Sequence, residues 1–384
     1  MAKPSGRRDA DLDVVRGIAI LLAMGWHLNG LSTQSEIARA LLAPGHTFGW
    51  AGVDLFFVLS GYLIGRIVLL ERLATGSFDA SRFLVRRALR LWPVLYAFLA
   101  MQLLFGDKPW RTFLFQNVFH LQNYLGTSLN HLWSLAVEEQ FYVAFATLFL
   151  LLLRSGFSPE RLLRVLYATL GASFALRCAA VLDGVDPFAI QWQTHYRMDA
   201  IACGVLLAAL SVHRPAVFAK LCGAKSACLA AVVACVAFLC FVPQTSAVDA
   251  TVGYTVAYGG GAALILLVSG CNLVERLPAV FSPIAALSPY AYTLYIFHIS
   301  AAKAVDIAAA KVHLQLSPGT SICLHYGAAF AAAFAVRMAI ERPSMALRAR
   351  LSPSPLAVDE SRVPASPGAE RLPPLAEGSL SPLV

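Results

Sequence analysis

Long apolar runs recur along the whole chain and constrain its fold more than any other feature. Residues 135–153, 252–268 and 323–335 are examples, and such runs approach the roughly 20 residues that a helix needs to cross a bilayer. Hydrophobic residues make up 58% of the 384 residues and charged residues 14%, whereas soluble domains carry about 45–50% and about 25%. One water-soluble core cannot bury so much apolar surface. The sequence therefore predicts an all-α, multi-pass membrane protein.

About ten segments are predicted to be transmembrane helices. They are residues 12–31, 48–70, 90–105, 132–153, 162–182, 197–212, 227–242, 252–270, 287–310 and 320–340. With the N-terminus inside, most of the 30 Lys and Arg residues lie on the cytoplasmic side, as the positive-inside rule expects. Both termini are thus predicted to be cytoplasmic. Residues 1–350 would form the membrane domain, and the Pro- and Ser-rich residues 351–384 a disordered cytoplasmic tail.

Four further features limit the organisation of the chain and its partners. The first apolar segment is predicted to be a retained span rather than a cleaved signal peptide, because Arg16 and His27 interrupt it. Residues 113–125 are apolar but too short and too polar for a span, so they are predicted to lie in the outer interface or to form a re-entrant helix. The eight cysteines occur singly and are predicted to be buried thiols rather than metal ligands. The net charge of +8 is not gathered in one patch, so the predicted partner is the lipid bilayer and not nucleic acid.

Titratable side chains within the apolar segments indicate a functional site, because such groups are costly at membrane depth. A helix rises about 1.5 Å per residue, which places His27 roughly 16 Å beyond Arg16, near the middle of the bilayer. His298 is predicted to lie at the same depth. Three carboxylates are predicted to lie nearer the outer surface: Asp54, Glu138 and Glu139. These groups could converge on one polar cavity in the outer half of the membrane.

Two chemistries follow from these residues, each with a plainer alternative. A neutral imidazole at His27 can act as a general base, oriented by Glu138 or Asp54, or it can only link helices by hydrogen bonds. Arg87 and Arg90 stand three apart and share one helix face, so they can bind phosphate, or they can anchor the helix at lipid headgroups. Other charges at membrane depth are predicted to pair with one another or to line a water-filled cavity: Arg177, Asp199, Lys303 and Asp306.

The order of short motifs resembles the acyltransferase-3 family of bacterial integral-membrane O-acyltransferases. The motifs that carry the resemblance are Arg16-Gly17-x-Ala19 with His27, Val53-Asp54-Leu55-Phe56-Phe57-Val58-Leu59-Ser60-Gly61, Arg87-x-x-Arg90 with Pro93, Trp133-Ser134-Leu135-x-Val137-Glu138-Glu139-Gln140-Phe141-Tyr142, Arg197-x-Asp199, Tyr295-x-x-His298 and Glu341-x-Pro343. They appear in the family's order and cover nearly everything from Asp11 to Pro343.

The resemblance implies an enzyme of the bacterial cytoplasmic membrane that moves an acyl group from cytoplasmic acyl-CoA, most commonly acetyl-CoA, to a hydroxyl of a carbohydrate or glycolipid outside. By that analogy His27 is the essential histidine, with Glu138 and Glu139 in support. Arg16, Arg87 and Arg90 would hold the donor's phosphates, and no metal is needed. A supporting set would complete the substrate site: Asp54, Tyr295, His298, Arg197 and Asp199.

Two other functions stay open at the level of sequence. A transporter can also place histidines and carboxylates at mid-membrane to carry protons or substrate, although the paired repeats frequent in transporters are not visible here. A non-catalytic membrane partner of a polysaccharide assembly complex would make His27 dispensable.

Overall fold

The computed structural model of the protein describes residues 9–28, 36–106, 109–126, 129–244 and 246–353. These residues form helices and connecting turns without a strand, so the predicted all-α class is confirmed. The α-helices are α1 (Ala10–Leu28), α2 (Glu36–Phe48), α3 (Gly52–Thr75), α4 (Ala80–Phe105), α5 (Trp110–Val118), α6 (Trp133–Arg154), α7 (Pro159–Leu182), α8 (Pro187–Trp192), α9 (Thr194–His213), α10 (Pro215–Gly223), α11 (Lys225–Phe241), α12 (Tyr254–Val268), α13 (Leu273–Arg276), α14 (Pro278–Leu287), α15 (Ala291–Lys311), α16 (Pro318–Val336) and α17 (Arg342–Leu351).

Within the described residues, eight helical stretches are long and apolar enough to cross a membrane. A ninth arises if α10 and α11, which meet at a bend of 69°, count as one span. These nine correspond to nine of the ten predicted segments. The tenth, at 12–31, corresponds to α1, which carries Asp11, Asp13 and Arg16 in its 19 residues and is not among the eight. Residues 113–125 contain most of the short helix α5 and do not form a span, as predicted.

Burial separates central helices from peripheral ones. In the spans that contain α3 and α9, 67% of the apolar window is buried, against 11% in the span that contains α16. Helices that face lipid keep their apolar side chains outward, whereas central helices bury theirs against one another. α1 packs against α2, α3, α14 and α15, so it lies inside the bundle. The orientation of the termini stays a prediction, and the predicted tail lies outside the described residues after 353.

Two glycines let α3 and α9 approach closely. A Cβ on Gly61 would collide with the carbonyl oxygen of Ile201, and one on Gly204 would collide with that of Val58. Small residues permit such close packing of membrane helices.

Gly204→Ala is therefore expected to lower the free energy of unfolding by about 1–3 kcal/mol, seen as a lower melting temperature of the detergent-solubilised protein. The matched control is Gly171→Ala on α7, where a Cβ meets open space; an unchanged melting temperature for Gly204→Ala would contradict the close approach.

Candidate active site

Three histidines from separate parts of the chain meet inside the bundle. They are His27 near the end of α1, His131 just before α6, and His298 within α15. The Nδ1 atom of His27 lies 3.1 Å from Nε2 of His298. The ring centroid of His131 lies 6.5 Å from that of His27 and 5.8 Å from that of His298. His131 and His298 are buried, whereas His27 is exposed. The common depth predicted for His27 and His298 agrees with their direct contact.

Neighbouring acceptors determine which nitrogen of each ring carries the proton. The Nδ1 atom of His298 lies 3.0 Å from the carbonyl oxygen of Leu294 and 2.8 Å from that of Tyr295. Because a carbonyl only accepts, Nδ1 of His298 donates and its Nε2 is an acceptor. The Nδ1 atom of His27 faces that Nε2 and also the carbonyl oxygen of Ala23 at 3.0 Å. Nδ1 of His27 therefore carries the proton, and its Nε2 holds the lone pair that can accept a proton from a substrate.

A cavity of about 420 Å³ opens on one side of the histidines, towards the end of the bundle where α1 and α4 begin. We call it the arginine cavity. Its charged lining residues are Arg16, Arg87, Arg90, Arg337, Glu138 and Glu341. The three arginines predicted to hold a phosphate-bearing ligand thus share one cavity, together with a fourth.

Two of these arginines are held by acidic partners. The Nη1 atom of Arg16 donates to Asp13 Oδ1 at 3.1 Å and to the hydroxyl of Ser288 at 2.7 Å. Arg337 pairs with Glu341 at 3.0 Å and also donates to the carbonyl oxygen of Pro289. These contacts fix both guanidinium groups at the wall of the cavity and offset part of their charge.

The other two arginines leave positive charge in the cavity. Neither Arg87 nor Arg90 has an ion-pair partner in the part of the chain that is described. The Nε atom of Arg87 is buried without a hydrogen-bond partner there. Glu138 lines the same cavity, where its Oε2 accepts from the Tyr142 hydroxyl at 3.1 Å. Guanidinium groups bind phosphate oxygens in pairs of hydrogen bonds, so this end of the bundle suits a polyphosphate.

A small chamber of about 70 Å³ lies between the arginine cavity and the opposite end of the bundle. It is lined by Ala23, Trp26, His27, Trp50, Val53, Asn130, His131, Trp133, Trp192 and Tyr295. Val53 and Tyr295 also line the arginine cavity. The Tyr295 hydroxyl is fixed 2.7 Å from the carbonyl oxygen of His131 and 2.7 Å from the hydroxyl of Ser134. This tyrosine therefore lies with a fixed hydroxyl where the two spaces adjoin.

A third cavity, of about 1100 Å³, lies on the other side of the chamber. We call it the amide cavity after four of its lining residues, which are Gln102, Asn130, Gln191 and Gln244. Aromatic side chains join them: Trp26, Trp192, Phe105, Phe188 and Phe297. His27 and His131 line both the chamber and the amide cavity. His27 is therefore accessible from the amide cavity while its chamber adjoins the arginine cavity.

The predicted supporting residues Asp54, Arg197 and Asp199 lie elsewhere. Arg197 Nη2 donates to Asp54 Oδ1 at 2.7 Å, and Arg177 Nη1 donates to Asp199 Oδ2 at 2.6 Å. These four side chains are at most 2% exposed, and none of them lines the three cavities. The prediction that Asp54 orients His27 is therefore wrong, because Asp54 is held by Arg197. The two pairs instead connect α3, α7 and α9.

The carboxylates of α6 also differ from their predicted depth. Glu138 lies on the arginine side of the histidines rather than nearer the opposite surface, and it does not contact His27. The reason is that His131, just before α6, is already level with His27, so the residues of α6 lie deeper. Glu139 lines none of the three cavities, and its Oε1 is buried without a partner among the described residues. Neighbouring helical residues point about 100° apart, so only one of the two faces the cavity.

The structure adds residues that the sequence analysis did not select. His131 stands two residues before the Trp133 motif, so its position at the end of a predicted span beside a motif was a usable signal. Arg337 lies near the end of the predicted span 320–340, where the positive-inside rule expects basic residues whatever their function. No group of three or more His, Cys, Asp or Glu side chains in the described residues is arranged to hold a metal ion.

Comparison with known proteins identifies the domain. A family model described as an acyltransferase domain matches residues 9–342. The peptidoglycan O-acetyltransferase OatA of Listeria monocytogenes is 26% identical over 322 residues, which are 75% of this chain and 48% of that protein. The O-acetyltransferase OatA of Staphylococcus aureus is 29% identical over 219 residues, which are 51% of this chain and 34% of that protein. The chain thus spans about half or less of the length of these relatives. No solved structure matches the chain.

Proposed function

The chain belongs to the acyltransferase-3 family, and from that premise we propose that it is a membrane O-acyltransferase that transfers an acetyl group from acetyl-CoA to a hydroxyl of an envelope glycan. One observation carries the proposal. His27, with its lone pair on Nε2, borders a chamber that adjoins an arginine-lined cavity on one side and an amide-lined cavity on the other. A donor and an acceptor can therefore approach one base from opposite ends of the bundle.

The arginine cavity supports a coenzyme A thioester as the donor. Coenzyme A carries several phosphates, and Arg87 and Arg90 offer guanidinium groups that form no ion pair with a carboxylate among the described residues. Arg16 and Arg337 add donors that are already oriented. Charge-assisted hydrogen bonds to phosphate are about twice as strong as neutral ones, so this cavity favours the phosphates over an uncharged carrier.

The chamber supports a small acyl group. Its volume of about 70 Å³ is the smallest of the three spaces, which suits an acetyl group better than a succinyl or longer chain. Trp50, Trp133 and Val53 form apolar walls. These bulky side chains limit how far an acyl chain can extend beside His27.

The amide cavity supports a sugar as the acceptor. Amide side chains donate and accept hydrogen bonds and can therefore match the hydroxyls of a carbohydrate. Aromatic rings such as Trp26 and Trp192 supply flat apolar surfaces. The relative from Listeria monocytogenes is named a peptidoglycan O-acetyltransferase, and the relative from Staphylococcus aureus is named an O-acetyltransferase. Peptidoglycan is a glycan of the bacterial envelope, which fits the proposed acceptor.

The reaction requires one proton to move twice. Nε2 of His27 accepts the proton of the acceptor hydroxyl while the hydroxyl oxygen attacks the carbonyl carbon of the thioester. The carbon–oxygen bond forms, the carbon–sulfur bond breaks, and the departing thiolate takes the proton back from His27. The products are the acetyl ester and free coenzyme A. During this step His298 accepts a hydrogen bond from Nδ1 of His27 and so holds the ring in the required tautomer.

The sidedness follows from charge. The end of the bundle with the arginine cavity is also the end predicted to be cytoplasmic by its excess of Lys and Arg. Cytoplasmic acetyl-CoA would then enter from that end, and the glycan would meet His27 from the outer side of the bacterial cytoplasmic membrane.

The test is transfer by purified protein in nanodiscs. Acetyl-CoA labelled in its acetyl group is incubated with extracted envelope glycans, and both free thiol and alkali-labile label on the glycan are measured. Equal amounts of thiol and glycan ester support the proposal. Thiol release without ester, or movement of substrate across sealed vesicles without thiol release, would instead indicate hydrolysis or transport.

Binding of the coenzyme A phosphates in the arginine cavity can be tested separately. Arg90→Gln is expected to raise the KM for acetyl-CoA by about 10- to 100-fold, since hydrogen bonds to charged groups contribute about 1.5–3 kcal/mol. The KM for acetyl-pantetheine, which lacks the nucleotide and its phosphates, should stay unchanged. Arg154→Gln, an exposed residue at the end of α6 that lines none of the cavities, is the control. An equal effect of Arg90→Gln on both donors would argue against phosphate binding.

A further inference from the structure

We propose that the acceptor is an anionic glycan and that Lys303 binds its negative group in the amide cavity. The proposal rests on the function proposed above, because it takes the amide cavity to be the acceptor site. It adds the chemical class of that acceptor, which is a saccharide that carries a carboxylate or a phosphate close to the acetylated hydroxyl.

The charge of the amide cavity comes from one residue. Among the described residues that line it, Lys303 is the one lysine or arginine, and no aspartate or glutamate accompanies it. The side chain of Lys303 is exposed, and no hydrogen bond or ion pair links it to another described residue. An ammonium group on a spanning helix is costly unless it faces water or an anion. The cavity therefore presents a cation without a protein partner.

The other charges predicted at this depth are already paired. Arg177 binds Asp199, and Asp306, three residues after Lys303 on α15, pairs with His325 at 2.7 Å. An aspartate at that spacing on a helix can reach a lysine. Its pairing with His325 instead leaves Lys303 directed to the cavity. The sequence left two alternatives open for Lys303, an ion pair or the lining of a cavity. In the structure Lys303 lines the amide cavity.

The position of Lys303 matches the scale of one sugar residue. It follows His298 by five residues on α15, a rise of about 7.5 Å towards the end of the bundle away from the arginine cavity. Because His298 touches His27, an acceptor hydroxyl at Nε2 of His27 would leave the next substituent or the next sugar near the ammonium group. Ser300, fixed by a 2.8 Å hydrogen bond from Gln102, lines the same cavity as Lys303.

The experiment compares acceptor pools that differ in charge. Envelope glycans are separated by anion exchange into neutral and anionic pools of equal sugar content, and portions of the anionic pool are carboxyl-reduced or treated with phosphatase. Wild-type protein in nanodiscs is expected to transfer labelled acetyl preferentially to the anionic pool. Loss of acceptance after carboxyl reduction would identify a carboxylate, and loss after phosphatase a phosphate.

Variants then connect the preference to Lys303. Lys303→Gln is expected to raise the KM for the anionic pool by about 10- to 100-fold, the loss expected for one charge-assisted hydrogen bond, with little change for the neutral pool. Lys303→Arg keeps the charge and should keep the preference. Lys311→Gln is the matched control, because Lys311 is exposed on the last turn of the same helix and lines none of the cavities.

Each contrary result has its own meaning. Label in the neutral pool alone, or an equal loss for both pools in Lys303→Gln, would overturn the anionic acceptor and leave the transferase function standing. The equal loss would show that Lys303 acts on packing or on lipid headgroups. Absence of label from every pool, with wild-type protein that is folded and binds acetyl-CoA, would overturn the transferase function itself.

Discussion

His27→Ala is expected to lower the rate of acetyl transfer by about 10²- to 10⁴-fold, the usual contribution of a general base. The loss should appear in kcat, while the affinity for acetyl-CoA stays near that of the wild type, because the arginine cavity is separate from His27. The measurement is glycan-dependent thiol release by protein in nanodiscs, together with binding of labelled acetyl-CoA to the same preparation.

A control separates catalysis from folding. His213→Ala, at the end of α9 and outside all three cavities, should keep full activity. If His27 only linked α1 to α15 through His298, His27→Asn, which still offers a hydrogen-bond donor, would restore transfer. Full activity in His27→Ala protein with an unchanged melting temperature would exclude His27 as the general base and assign the proton transfer to another group.

The sequence was sufficient for the membrane class and for most spans, because apolar runs of this length have few other folds available. It also placed His27 and His298 at one depth, since helical rise converts residue count into distance. The depth predicted for Glu138 from its position in the sequence was wrong. Its depth depends on how far the start of α6 enters the bundle, which is set by packing of His131 against His27 and His298.

The spacing of charged residues along the sequence could not show which of them form ion pairs with one another. Arg87 and Arg90 were assigned to one face by helical periodicity, and they do line one cavity. Asp54 and Arg197, however, are 143 positions apart in sequence, and nothing local shows that they neutralise each other. An acidic residue at membrane depth therefore looked available for catalysis, whereas it is a structural charge that α9 compensates.

That ion pair leads to the largest expected effect on stability. Arg197→Met leaves Asp54 buried without its partner, and removal of one member of a buried pair typically costs about 3–5 kcal/mol. The guanidinium of Arg197 also lies 3.6 Å from the ring centroid of Tyr254, so its loss removes a packing contact as well. The expected result is a large fall in melting temperature and in the yield of folded protein.

A double variant decides whether the pair serves the fold or the site. Asp54→Leu combined with Arg197→Met removes both charges, and replacement of a buried pair by apolar side chains is often neutral, so much of the lost stability should return. An exposed pair such as Arg214 with Glu160 is the control, and Arg214→Gln should change the melting temperature little. Because neither Asp54 nor Arg197 lines one of the three cavities, the folded double variant should also keep the wild-type KM for acetyl-CoA. A stable double variant without transfer activity would instead place the pair in the catalytic machinery, which would mean that the bundle rearranges around α3 and α9 when substrate binds.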